Sequence, residues 1–206
     1  ERLTSEGEET LPLTREESLA LVVANIPRRA RIIVTTGMLG RELWELREQT
    51  GSSSQNDFMV VGGMGHASAI AHGVADANPS RPVWCLDGDG SLLMHLGSAA
   101  VIGNRQPKNL NHLLFNNAAH DSVGGQPTAV STISTKEMVV ALGYNWVGSA
   151  STATETTRLA ASLCDATGPA FAEIKIRRGA RSNLGRPPST FFSRGKLFQP
   201  GHPANV

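Results

Sequence analysis

A doubly wound, mostly parallel α/β sheet of six strands, with helices on both faces, is the fold this sequence predicts. Three observations predict it. Short β-branched apolar runs alternate with stretches of helical spacing through most of the 206 residues. The runs are apolar throughout rather than at every second position, as strands covered on both faces are. The turns that follow them collect glycines, a carboxylate and carboxamides, and the carboxyl ends of the strands are where open α/β sheets bind ligands.

The length suits one large domain. Nineteen basic against 18 acidic residues leave a formal charge of +1, so the overall balance argues for neither nucleic acid nor an anionic membrane as partner. The apolar runs fall far short of the ~20 residues that span a bilayer. Cys85 and Cys164 lie in an apolar strand and on an apolar helix face, with no metal-ligand or redox spacing between them, so buried thiols are expected rather than a disulfide. Residues 1–10 are too acidic for a targeting signal, and a cytoplasmic protein is the simplest expectation. Glu1 in place of Met leaves room for a longer precursor.

Residues 1–12 read as a polar lead-in or linker. Thr14 and Glu17 are spaced as a capping box for a helix carrying Leu19, Val22, Val23 and Ile26. Arg31–Thr35 is the first strand, Thr36-Gly37 its exit turn, and Leu39–Gln49 the next helix. Phe58–Val61 is a strand running into Gly62-Gly63-Met64-Gly65, and the nearly all-small residues from Met64 to Ala77 form a helix able to approach another backbone or a cofactor closely. Val83–Asp87 is the third strand. Leu92, Leu93, Leu96, Ala99, Ala100 and Ile102 make the stripe of one helix. Leu110–Phe115 is the fourth strand, followed by an irregular loop over 118–132 of the kind that carries function. Ser134 with Glu137 and Thr152 with Glu155 box two further helices, and Tyr144–Val147 and Ala170–Ile176 are the last strands. The basic, proline-containing residues 177–206, with Arg177, Arg178, Arg181 and Arg186, read as a tail or as an arm laid on a partner.

Gly88-Asp89-Gly90 and, after 25 intervening residues, Asn116-Asn117 bring a carboxylate and carboxamides to adjacent strand ends. That is a donor set for a hard cation such as Mg²⁺, which takes about six oxygens and only a few of them from protein. The glycines let backbone N–H groups approach a diphosphate. Taken alone, Gly-Asp-Gly is also an ordinary strand-to-helix turn.

With Asn-Asn at this spacing, the pattern resembles the signature of thiamine diphosphate enzymes, over about residues 14–176. Thr35-Thr36-Gly37, Gly62-Gly63-Met64-Gly65 and the run from Asn117 to Thr128 (Asn-Ala-Ala-His-Asp-Ser-Val-Gly-Gly-Gln-Pro-Thr) are most similar to phosphonopyruvate decarboxylases, with sulfopyruvate decarboxylases as close relatives. The resemblance implies a diphosphate-binding domain over 13–176. It implies Mg²⁺ on the Asp89 carboxylate, the Asn117 side chain and the Ala119 carbonyl. It further implies thiamine diphosphate held by Thr36, Gly37, Gly62, Gly63, Met64, Gly88, Asp89, Gly90, Ser91 and Asn117, with Met64 bending the cofactor. The glutamate that activates the cofactor belongs to a separate pyrimidine-binding domain, for which the predicted strands leave no room. The chain is therefore expected to be half of an enzyme that acts on a small anionic 2-oxo acid, as a hetero-oligomer or a dimer of halves.

His120, Asp121 and Ser122 follow the metal ligands and are the catalytic candidates, with Asp121 orienting His120 or capping a turn. Gly124, Gly125, Gln126 and Thr128 are the candidates for the anionic end of the substrate. Two other classes compete. One is a cofactor-binding subunit without activity; the other is a dinucleotide-binding protein, disfavoured because no Gly-x-Gly-x-x-Gly follows the first strand.

Overall fold

The computed structural model describes residues 13–188, so the predicted lead-in and the end of the predicted arm lie outside the described residues. Six strands, β1 (Arg31–Thr35), β2 (Asp57–Val60), β3 (Val83–Gly88), β4 (Leu110–Asn116), β7 (Trp146–Ala150) and β8 (Ala170–Lys175), form one sheet in the order β2-β1-β3-β4-β8-β7. Every pairing in it is parallel. Two short strands, β5 (Ala119–His120) and β6 (Gln126–Pro127), pair antiparallel outside it.

Period-two alternation splits the core. Ile32, Val34, Trp84 and Leu86 face α1 (Arg15–Asn25), α2 (Met38–Thr50) and α7 (Ala153–Asp165), packing against Leu19, Leu43 and Leu163. Ile33, Val83 and Cys85 face α3 (Ala67–Ala77), α5 (Gly97–Arg105) and α6 (Thr135–Ala141), packing against Ala71, Ile102 and Val139. Burial of both faces explains why the strands read as unbroken apolar runs. Among the described residues no helix is long and apolar enough to cross a membrane.

The capping boxes at Thr14/Glu17 and Thr152/Glu155 are complete, whereas Ser134 accepts from the Glu137 N–H without the return bond. Five expectations need correction. Cys164, expected as a buried thiol, is exposed on α7, whereas Cys85 is buried. The single helix through Leu92 and Ile102 is two, α4 (Asp89–Met94) and α5, broken at His95, whose ring packs on the His66 ring at 4.1 Å. The small-residue helix starts at Ala67 rather than Met64, because Gly65 (φ 86°) ends a turn. The strand expected at Tyr144 begins at Trp146. Tyr144 is instead buried beside Phe171, its hydroxyl 3.0 Å from His112 Nδ1.

The last correction concerns the arm, whose described part packs on its own domain. Arg181 pairs with Glu16 at 2.6 Å and with Glu45, Arg177 lies 3.7 Å from Glu17, and Arg41 donates to the Leu184 and Gly185 carbonyls. Acidic residues on α1 and α2, distant in sequence, supply the counter-charges.

Candidate functional site

Strand β1 lies between β2 and β3, so the chain reverses its progress across the sheet there, and the crevice at such a point is where doubly wound sheets bind ligands. Twelve of the expected residues border one cavity of about 70 Å³ at this place: Thr36, Gly37, Met64, Gly88, Asp89, Gly90, Ser91, Asn117, Ala119, His120, Asp121 and Ser122. A larger hollow of about 730 Å³ lies at the opposite ends of the strands, beside Ile26, Ala30 and Asn56, and includes none of them.

Asp89 opens α4 and is 3% exposed. Burial pushes its carboxyl above the usual range, against hydrogen bonds from the Thr128 hydroxyl and the backbone of Asp89 and Gly90 and the nearby His120. Among the described residues no Lys or Arg forms an ion pair with it. A buried carboxylate so placed is stabilised by a cation. The Asn117 carboxamide is 7% exposed; its Nδ2 donates to Asp121 Oδ2 at 2.6 Å and its Oδ1 accepts from the Ala119 N–H at 3.1 Å. Hard oxygens on adjacent strand ends fit Mg²⁺.

Ser91 Oγ accepts from the Thr35 hydroxyl at 2.9 Å and the Gly65 N–H at 3.2 Å, so its side chain staples three turns together. The His120 ring lies directly over Gly90, where an added Cβ would stand 2.5 Å from its Cε1 and Nδ1. That contact explains a glycine at 90 independently of any ligand.

Other expected residues are placed differently. Gly62 is exposed and Gly63 half-buried, and both border a separate open hollow beside Phe58 and Ile70. Gly124, Gly125 and Gln126 stand exposed at the tip of the β5–β6 hairpin, and the Gly125 N–H is taken by the His120 carbonyl at 3.0 Å. Thr128 is buried, with its hydroxyl on Asp89 rather than open to a substrate. Asp121 does not orient His120. Its Oδ2 accepts from Asn117 Nδ2, from Arg15 NH1 at 3.0 Å and from the Gly179 N–H at 3.0 Å.

Arg15 and Glu42 were not legible as site residues. Arg15, a first-turn residue of α1 that no motif or spacing singles out, is 7% exposed, borders the cavity, and forks onto Glu42 at 2.8 and 3.0 Å. Only the crossing of α1 over α2 brings these two together. Sequence spacing likewise gave no link among Cys85, Asp87 and His112, whose polar atoms lie within 4.8 Å of one another in the core. Burial, with Asp87 nearby, pushes the Cys85 thiol far up, and the His112 Nδ1 is used by Tyr144.

Residues 35–174 match the family model of the thiamine pyrophosphate enzyme, C-terminal TPP binding domain. The chain belongs to that family. Thiamine pyrophosphate is thiamine diphosphate, and the dinucleotide alternative is set aside. The chain is 37% identical over 196 residues to phosphonopyruvate decarboxylase of Streptomyces viridochromogenes, covering 94% of this chain and 48% of that protein. It is 38% identical over 174 residues to phosphonopyruvate decarboxylase of Streptomyces hygroscopicus, covering 84% and 42%. It thus spans about half the length of these relatives. Sulfopyruvate decarboxylase subunit beta of Methanococcus maripaludis is 30% identical over 138 residues, 67% of this chain and 71% of that subunit. The thiamine diphosphate-dependent 4-hydroxybenzoylformate decarboxylase of Rhodococcus jostii RHA1 shares the fold, with a TM-score of 0.67 at 21% identity over 87% of this chain and 35% of that one.

Proposed function

We propose that this chain is the thiamine diphosphate- and Mg²⁺-binding half of a 2-oxo acid decarboxylase that converts phosphonopyruvate to phosphonoacetaldehyde and CO₂. The observation that carries this is the convergence of Asp89, Asn117 and His120 on one crevice at the β1/β3 reversal, in a chain similar along nearly its whole length to phosphonopyruvate decarboxylases. Sulfopyruvate is the second reading, favoured by the separate-subunit relative that this chain mostly spans.

In this reading Asp89, Asn117 and the Ala119 carbonyl hold the metal, and Gly88, Gly90 and Ser91, which line the same cavity, bind the diphosphate. Met64, which borders the same cavity, supports the cofactor's bend. When bound, the cofactor supplies the electron sink for the charge left as CO₂ departs. His120, fixed over Gly90, holds a proton at the substrate's carbonyl oxygen. Ser122 borders the cavity, and Gln126 with the Gly124 N–H stands at the hairpin tip; these are the donors assigned to the anionic end. A pyrimidine-binding domain or subunit supplies the activating glutamate and closes the rim.

Steady-state kinetics of the assembled enzyme on phosphonopyruvate, sulfopyruvate and pyruvate test the assignment. We expect kcat/KM for an anionic analogue to exceed that for pyruvate by on the order of 10³, because donors left unpaired discriminate strongly. Pyruvate turned over as well as either analogue refutes the substrate class.

A further inference from the structure

Both side chains proposed to hold the metal are themselves held by one loop, and this deepens the metal reading on which it rests. The loop is the β5–β6 hairpin with its flanks, residues 118–128. At one end of it the Thr128 hydroxyl donates to Asp89 Oδ2; at the other, Asp121 Oδ2 accepts from Asn117 Nδ2 at 2.6 Å. We propose that Thr128 and Asp121 are positioning residues that aim the oxygens of Asp89 and Asn117 at the metal, rather than residues that touch substrate.

The chemistry of each pair fixes a direction. A carboxylate only accepts, so Asp121 takes the NH₂ end of the Asn117 amide and leaves its oxygen on the opposite side. A threonine hydroxyl donating to one carboxylate oxygen fixes the rotation of the carboxylate and so the direction of the other oxygen, and outer partners of this kind orient metal ligands in general. Each positioning group is itself tied down. The Thr128 N–H donates to the Ala118 carbonyl at 3.1 Å and Thr128 is 4% exposed. Asp121 is anchored by Arg15 at 3.0 Å, which in turn forks onto buried Glu42. The Asn117 and Ala118 carbonyls receive the Arg178 guanidinium at 3.3 and 3.4 Å. The hairpin thus couples α1, α2 and the C-terminal arm to the direction of two metal ligands. A substrate role for Thr128 would require its hydroxyl to leave a buried carboxylate, which costs a charged hydrogen bond.

The test uses the assembled enzyme, with Mg²⁺-dependent thiamine diphosphate binding followed by calorimetry and Mn²⁺ followed by EPR. Thr128→Val, which keeps the shape and removes the hydroxyl, is expected to weaken Mg²⁺ by about 10–100-fold. Thr128→Ser is expected to restore wild-type affinity, and Asp121→Asn to weaken Mg²⁺, with some loss of metal-free melting temperature because Arg15 loses an ion-pair partner. The Mn²⁺ line shape should change in Thr128→Val and Asp121→Asn, and KM for substrate at saturating metal and cofactor should stay within about threefold. Unchanged Mg²⁺ affinity in both weakened variants, or a raised KM with metal affinity intact, overturns the proposal while leaving the cofactor reading in place. A wild-type enzyme that binds no Mg²⁺ with the cofactor overturns both.

Discussion

Replacing Gly90 by alanine isolates what the His120 ring does. The new methyl would lie 2.5 Å from His120 Cε1 and Nδ1, whereas non-bonded carbons rest at about 3.5–4.0 Å. The ring must therefore retreat by about 1 Å, and a displacement of that size costs reacting groups roughly 10²-fold in rate. Folding should not suffer. Position 90 lies in helix α4, where alanine is favoured over glycine by about 1 kcal/mol, and what it meets is the far end of a side chain rather than backbone. Kinetics of Gly90→Ala in the assembled enzyme should show kcat down by roughly 10²-fold with an unchanged melting temperature. The decisive measurement is a double-mutant cycle with His120→Ala. If alanine at 90 acts by moving the ring, the double variant loses no more than His120→Ala alone. Fully additive losses would refute the reasoning and place the damage in diphosphate binding, which a direct cofactor titration would register.

Asp89→Ala and Asn117→Ala should each abolish Mg²⁺-dependent cofactor binding while leaving the fold intact, since each removes one of about three protein ligands; saturation at wild-type cofactor concentrations by either variant sinks the metal assignment. The chain assayed alone, with cofactor, Mg²⁺ and a coupled aldehyde assay, should be silent and should regain activity only with a pyrimidine-binding partner; robust turnover by a demonstrated single-chain species refutes the half-enzyme reading. Stability should fall in acid through the two complete capping boxes. The Glu155 carboxyl is held below its usual range by the Ser151 N–H at 2.9 Å, then by the Ser151 hydroxyl and the Thr152 N–H; Glu17 is held down by the Thr14 N–H and hydroxyl at 2.8 Å. Their contribution is present above the unfolded carboxylate value and lost as pH falls through the lower folded one. The stability difference between wild type and Glu155→Gln in thermal melts from about pH 7 to 3 should shrink toward the acid end, and a difference independent of pH contradicts the assignment.

Local chemistry was enough to read the frame. Unbroken apolar runs such as Ile32-Ile33-Val34 declare strands buried on both faces, and Thr14 with Glu17 or Thr152 with Glu155 declares a helix start, because both signals depend on neighbours within a few positions. Gly88-Asp89-Gly90, Asn117 and His120 also stood out by residue type and spacing, and they border one cavity, whereas the Asn116 carboxamide donates instead to Glu173 at 2.6 Å. Tertiary structure decided what each polar group is engaged with, since a hydrogen bond between residues 39 or 106 positions apart leaves no periodic trace. Thr128 looks like a donor awaiting a substrate, and Asp121 like a partner for His120 or a turn cap, until the fold sets them on Asp89 and Asn117. Nothing near Arg15 in the sequence marks it until α1 crosses α2 and buries it against Glu42 and Asp121. A chain can announce by local pattern which side chains are reactive; only the packing of its elements settles which of them are already bonded to one another.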